Sequence, residues 1–497
     1  MSDTSMAGAD TETQDGLKVH AVAATFSRLV FLTAACFAIL VACFSLYKIF
    51  FSSHEGRFWF YLAGFFVGIL LAWLSRRISR MKVDTRVNLA ILFLSVVVGV
   101  YAFEVFLFYR EEARSLGLQE QRIRAAARLG VPFDSRSKLE VIDEERAAGK
   151  DAYPIYYPKS FRRFRPDMDR KDALYPLSGV SRATTVYCNE GGVWSVFPSD
   201  EHGFNNSPGL YDSGEIEAVL AGDSYVDGAC VRQDETIAAR LRSRGLRTIS
   251  VGKGGNGPLA SLGALIEYAE RLRPRVVVWS YYRNDLYDLE NEKKSPLFRR
   301  YLEDDGFSQN LFDRQDEIDR LLIAYLKDKE QEERLLQARN AADERAQGEK
   351  RKTLEYNPIT RIFALAHLRA LVTNLPSQSA RSQLEPDYNY FRRVLKKAKD
   401  LVSGWGGTFY FVYLPRFDKF DSGEDHAFRT EVLKTVAALD IPVIDLQPVF
   451  AKHADPVSLF PLRMDSHYTA EGYDIVAETV FRRLASDGLV GRSGVGN

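Results

Sequence analysis

The chain has 497 residues, more than one hydrophobic core ordinarily serves, so several compact regions are expected. Its 66 Lys and Arg are balanced by 66 Asp and Glu, which argues against nucleic acid as a partner, since that interaction needs a basic excess. Four cysteines are too few for a disulfide scaffold, and neither they nor the histidines show metal-ligand spacing, so no metal or other cofactor is expected.

Residues 1–27 form an acidic N-terminal tail (Asp3, Asp10, Glu12, Asp15). Three apolar runs follow within residues 28–109. They are Leu29–Phe51, whose only charge is Lys48, then Phe58–Ser75 and Leu89–Tyr109. Each approaches the ~20 residues that cross a bilayer core as a helix, and aromatic residues gather at their ends, so three transmembrane helices are predicted. No small-residue cleavage site follows the first run, which excludes a cleavable signal peptide. Arg76, Arg77, Arg80, Lys82 and Arg86 stand against a single Asp84 between the second and third runs. Positive loops stay cytoplasmic, so everything after Arg110 is expected outside the cytoplasmic membrane, in the periplasm or beyond. The same reading puts the nearly neutral first loop, Ser52 to Arg57, and the N-terminal tail outside. Glu104, near the outer end of the third run, is expected to reach toward the interface. Cys36 and Cys43 fill space in the first run. Cys188 and Cys230 both fall in the external part, where an oxidising compartment permits them to pair, and the sequence leaves pairing and free thiols equally open.

Residues 110–214 open with a charged helical stretch, Arg110–Leu129, and continue through turn-rich sequence that includes Tyr187-Cys-Asn-Glu-Gly-Gly. They are expected to form a partly ordered connector with a short β element. From Glu215 strands and helices alternate. The candidate strands are Ile216–Ala221, Arg247–Val251, Val276–Tyr282, Thr408–Leu414 and Pro442–Leu446. All are short and almost continuously apolar, as in a parallel sheet covered on both faces. Helical segments at Thr236–Ser243, Leu259–Arg271, Tyr390–Gly404 and Arg429–Leu439 separate them, and the order implies a doubly wound α/β sandwich. Its halves are 215–294 and 386–490, split by a helical insertion at 295–385. Within the insertion the charged Gln315–Leu354 and the amphipathic Ile359–Leu375 are expected to form a solvated excursion, with a lid or partner-docking arm as the alternative.

Reactive groups in open α/β sheets collect at the carboxyl ends of the strands. The first strand ends in Gly222-Asp223-Ser224, the second in Gly252-Lys-Gly-Gly-Asn-Gly257, the third in Tyr282-Arg283-Asn284-Asp285, and Asp465-Ser466-His467 lies near the C-terminus. A serine needs a base to become a nucleophile, and the base needs an orienting acid. The glycine cluster is neither a dinucleotide fingerprint, since it follows the second strand, nor a phosphate loop, since it lacks the Gly-Lys-Ser/Thr ending.

In order and spacing these segments resemble the blocks of the SGNH (GDSL-type) hydrolase and O-acyltransferase superfamily; the spans, connector and insertion lie outside the resemblance. It implies a flavodoxin-like three-layer α/β/α sandwich with a parallel sheet. It also implies a nucleophile at Ser224, a general base at His467 and an orienting acid at Asp465. The oxyanion donors would be the Ser224 and Gly255 N–H groups and the Asn284 amide, with Gly254 as the fallback for Gly255. Two departures stand out. Tyr282 and Arg283 occupy places where the family usually has glycine, which could narrow the pocket or supply a cation for an anionic substrate. Asp465 stands two residues before the histidine where three is usual, a spacing similar to the Asp-x-His of alginate O-acetylation proteins; Asp445 is the substitute acid. Together with the three predicted spans, the resemblance implies a membrane-anchored serine esterase acting on O-acyl, chiefly acetyl, esters of cell-envelope glycans. The alternatives are an O-acyltransferase to envelope polysaccharide and a catalytically silent scaffold that binds glycan or a partner. The implied partners are an acylated glycan, the lipid bilayer and envelope-modification proteins.

Overall fold

The computed structural model describes residues 6–51, 58–115, 117–164, 173–212, 214–350, 365, 368, 386–422 and 427–490. The chain divides into two compact units, one made of Met1–Ser115 and Arg351–Ser377, the other of Leu116–Lys350 and Gln378–Asn497.

In the first unit the apolar runs form helices α1 (Met6–Phe51), α2 (Phe58–Ile78) and α3 (Val83–Ser115), each long and apolar enough to cross a membrane. Gly64 and Gly68 let α2 approach α1 closely; a Cβ on Gly68 would stand 2.7 Å from the Ala38 carbonyl oxygen. Arg86 is buried. It donates from Nε to Ser27 Oγ (2.9 Å), from Nη2 to the Ala24 carbonyl (3.1 Å) and from Nη1 to the Ser79 carbonyl (3.0 Å). His20 also lies 3.2 Å from Asp84. The start of the first apolar run therefore sits at the same end of the bundle as the basic α2–α3 turn. This corrects the expectation that the N-terminal tail shares a side with the first loop: a run that crosses once must have its two ends on opposite sides. Glu104 is fully buried rather than reaching outward, and it accepts the Leu368 N–H at 2.7 Å. The first loop and most of Ile359–Leu375 lie outside the described residues.

The second unit is built on a five-stranded parallel sheet in the order β5-β4-β6-β7-β8. The strands are β4 (Ala218–Ala221), β5 (Thr248–Ser250), β6 (Val276–Tyr281), β7 (Thr408–Tyr413) and β8 (Val443–Asp445). All five fall within the segments expected from the sequence. Period-two alternation divides their side chains between two cores. Val219, Ala221, Val277, Trp279, Tyr281, Phe409 and Phe411 face a layer containing the helices Pro258–Ala264 and Tyr388–Gly404. Ala218, Leu220, Val276, Val278, Tyr410 and Val412 face the helices Ile237–Ser243 and Ala470–Ser486. This is the three-layer flavodoxin-like sandwich. Its strand order reverses between β4 and β6, which opens a crevice at their carboxyl ends.

The stretch before the sandwich is more ordered than expected. It carries helices Leu118–Leu129 and Lys138–Ala147 and a small sheet of β1 (Ala152–Pro154), β2 (Thr184–Val186) and β3 (Val196–Pro198). Its Tyr156, Phe161, Tyr175, Leu177 and Phe204 are buried in the same core as β4 and β6. Part of the insertion also packs. Buried Glu267 accepts from Tyr301 Oη, Ser308 Oγ (both 2.8 Å) and the Leu311 N–H (2.8 Å). Ile318, Leu322 and Leu326 of the long helix Gln315–Lys350 enter the core, while Leu335 and Leu336 further along it are exposed.

Cys188 and Cys230 form a disulfide, with Cα atoms 5.0 Å apart and a separation of 42 positions in sequence. Closing a loop of that length restricts the unfolded chain by about 4 kcal/mol in the chain-entropy treatment. Under denaturing conditions without reductant, alkylation should reach only Cys36 and Cys43, and all four cysteines after reduction. Replacing both Cys188 and Cys230 with serine should lower the unfolding free energy by about 2–4 kcal/mol; four reactive thiols before reduction would exclude the bridge.

Candidate active site

β4 ends at Gly222, where a Cβ would stand 2.8 Å from Val226 Cγ2 and 2.9 Å from the Ser280 carbonyl oxygen, so only glycine lets the chain turn here. The Asp223 carboxylate then caps the short helix Ser224–Asp227 by accepting the Tyr225 N–H at 3.1 Å. This places Ser224 at the carboxyl edge of the sheet, half-buried, with its N–H in the first turn, where a helix supplies no acceptor of its own. His467 arrives from the other end of the chain, immediately before the helix Ala470–Ser486, which Thr469 caps. The buried Tyr468, whose hydroxyl donates to the Pro415 carbonyl at 2.6 Å, anchors its loop. His467 Nε2 is 2.9 Å from Ser224 Oγ, and the Tyr225 ring lies 4.9 Å from the imidazole.

The group on the far side of the imidazole is Glu190. Its Oε2 lies 3.0 Å from His467 Nδ1 and also accepts the His467 backbone N–H at 2.9 Å, so one carboxylate oxygen fixes both the ring and its backbone. Arg122, from the helix Leu118–Leu129, donates to Glu190 Oε1 at 2.7 Å and to the Asn189 carbonyl at 3.2 Å. Burial works against the Glu190 charge, but the imidazole and the Arg122 guanidinium outweigh it and hold the carboxyl at about 2. Burial likewise disfavours a charged His467, yet the Glu190 carboxylate outweighs it and raises the imidazole above its usual range. The disulfide reinforces this geometry: Cys188 stands two residues before Glu190, and Cys230 follows the helix Ser224–Asp227.

Asp465, the expected acid, is exposed and is not hydrogen-bonded to His467 among the described contacts. With the His467 N–H already turned onto Glu190, a side chain two residues upstream lies on another face, and the Asp465 charge instead acts on Tyr282 and Arg416. Asp445 is also elsewhere, paired with Arg429 and accepting the Gln447 N–H at the end of β8. Sequence spacing could not point to Glu190, which lies 277 positions from the histidine. The one available signal was the cysteine pair: had Cys188 been joined to Cys230, Glu190 would have been drawn to the serine.

The expected oxyanion donors divide as follows. The Gly254 N–H is engaged by Asp227 Oδ2 at 3.0 Å, which removes it as a candidate. Gly255 follows at φ +81°, a conformation suited to glycine, against Lys159 of the connector. The buried pair Lys253–Asp227, 3.6 Å apart, ties this loop to the nucleophile helix. Asn284, at the end of β6, donates from Nδ2 to Asp288 Oδ2 at 3.0 Å and to Asp223 Oδ2 at 3.3 Å. Lys159 in turn pairs with Asp288. Arg283, next to Asn284, lies 3.9 Å from Asp418, which also pairs with Arg416. Glu190, His467 and Cys230 present donor atoms within 4.8 Å of one another, but Cys230 is disulfide-bonded and offers no thiolate, so the cluster does not fit a metal.

No known family profile matches the chain, and no curated protein matches it in sequence. Among solved structures, a lipase/acylhydrolase from Enterococcus faecalis aligns at 13% identity and TM-score 0.30, covering 54% of this chain and 95% of that one. A candidate acylhydrolase from Bacteroides fragilis aligns at 13% identity and TM-score 0.29, covering 56% and 90%. Likenesses this distant carry no argument about chemistry, which rests on the geometry above.

The protonation chain generates a pH prediction. His467 must be neutral to accept a proton, so kcat/KM for ester hydrolysis should rise as pH passes through its raised pKa. In Glu190→Gln the raising partner is gone while burial remains. The acid limb should therefore move to lower pH, and the plateau should fall by ~10²–10⁴. Asp465→Asn should change neither; a loss of the same size in Asp465→Asn, with Glu190→Gln active, would reverse the assignment.

Proposed function

We propose that this protein is a membrane-anchored serine esterase whose catalytic unit faces outward and removes O-acyl, chiefly acetyl, groups from cell-envelope glycans. The observation that carries the reading is the unbroken chain from Ser224 Oγ through His467 to Glu190, with contacts of 2.9 and 3.0 Å, at the carboxyl end of β4. His467 Nε2 takes the Ser224 hydroxyl proton as Oγ bonds to the ester carbonyl carbon. The charge on the carbonyl oxygen is held by the Ser224 and Gly255 N–H groups and by the Asn284 amide. Collapse breaks the bond to the leaving alkoxide, which takes the proton back from His467. Water, activated by the same imidazole, then releases the acyl group as a carboxylic acid and restores Ser224.

Support for an outward-facing unit comes from the basic α2–α3 turn, since positive loops favour the cytoplasmic side of a membrane, and from the disulfide, which persists in oxidising compartments. O-acyl transfer to a polysaccharide uses the same acyl-serine and differs only in that a sugar hydroxyl replaces the water.

With 4-nitrophenyl acetate as substrate, Ser224→Ala should abolish turnover in a folded protein. Asn284→Ala should reduce kcat by ~10²–10³ through loss of one oxyanion donor. Hydrolysis by Ser224→Ala at the wild-type rate would sink the assignment. Acetate released from acetylated polysaccharide in water supports hydrolysis; acetylation of added glycan from the acyl-enzyme supports transfer.

A further inference from the structure

A cavity of about 740 Å³ opens between α1 and α2 at the basic end of the bundle. The packing explains its position. Gly68 holds the two helices in contact at Ala38 and Ala42, and on α2 the groove begins where glycine gives way to Trp73 and Arg76. Its walls are graded. Arg28, Arg76 and Arg80 surround one end, and an apolar wall running from Phe31 and Leu32 to Ile39 leads away from them along α1. From Arg28 to Ile39 is about 16 Å at 1.5 Å per residue, the reach of much of an acyl chain. Leu32 and Ile39 are more than half exposed, so this wall has no protein cover among the described residues.

Among the described residues the charge is also uncompensated. Asp84, the acidic residue of the turn, faces His20, and among the described residues no carboxylate pairs with Arg28, Arg76 or Arg80. Arg86 does not contribute to the groove, because its guanidinium is spent on the Ser27 hydroxyl and two backbone carbonyls. Those bonds instead tie the start of the first span to the α2–α3 turn and hold Arg28 near the other two arginines. Three guanidinium groups at the mouth of an apolar groove match a phosphate joined to hydrocarbon.

We infer that this groove binds one anionic phospholipid of the inner leaflet, its phosphodiester held by Arg28, Arg76 and Arg80 and one acyl chain lying along Leu32 to Ile39. The inference rests on α1–α3 spanning a membrane, and that premise fails separately if alkaline carbonate strips the full chain from membranes.

The test uses the full chain in nanodiscs of phosphatidylcholine with or without phosphatidylglycerol, followed by gentle detergent extraction and native mass spectrometry. Wild type should retain one phosphatidylglycerol at least tenfold more often than phosphatidylcholine, and millimolar inorganic phosphate should not displace it. The triple variant Arg28→Gln, Arg76→Gln, Arg80→Gln should lose that preference while keeping the wild-type helical circular dichroism and thermal unfolding in the same nanodiscs, which report an intact bundle. Arg77→Gln removes a charge from the same turn of α2, but its guanidinium sits over the Trp73 ring outside the groove, so it should retain lipid as wild type does. Equal retention of the neutral lipid by wild type, or a loss in Arg77→Gln as large as in the triple variant, would overturn the inference. So would displacement by phosphate alone.

Discussion

The contact on which the site depends is the one between Glu190 and His467. A single carboxylate oxygen accepts from both the imidazole and the backbone N–H of the same residue, so ring orientation and loop position are set together. Arg122 occupies the other oxygen, which leaves the carboxylate nowhere to rotate. Burying these charges costs free energy unless each has a partner. Here a guanidinium, a carboxylate and an imidazole satisfy one another, and the imidazole keeps Nε2 for the serine.

This arrangement makes the segment before the sandwich part of the candidate site. Glu190 lies on a loop after β2, and the disulfide fastens that loop beside the nucleophile helix. Arg122 comes from a helix further upstream, and Lys159, beside Gly255, from a third element of the same segment. The sandwich alone supplies the serine, the histidine and the candidate oxyanion donors. It does not supply the acid, so a fragment beginning at Glu215 would hold a serine and histidine without their orienting group.

The sandwich was legible because burial on both faces forces its strands into continuous apolar runs between helical segments. Ser224 and His467 were legible because one stands at the carboxyl end of a strand, where reactive groups of open α/β sheets collect, and both match the motif blocks of the resembled superfamily. Glu190 was not, since an orienting acid needs only a position in space, and no periodicity marks it. Asp465 is close to His467 in sequence, but the chain bends through Ser466 between them. The spans were legible from length and composition. The side of the N-terminal tail follows only when the alternation is carried across the first run, which sets the tail opposite the first loop. The insertion was legible only as helix; its charged surface concealed Ile318, Leu322 and Leu326, whose spacing is that of a buried face.

The central claim, a serine activated by His467 and Glu190, is tested most directly by covalent labelling with a fluorophosphonate. Intact mass and peptide mapping should show one adduct on wild-type protein, at Ser224, formed faster as pH rises through the His467 titration. Labelling should be absent in Ser224→Ala and strongly slowed in Glu190→Gln. An unlabelled Ser224 in folded wild-type protein, or labelling that proceeds equally well without Glu190, would contradict the account.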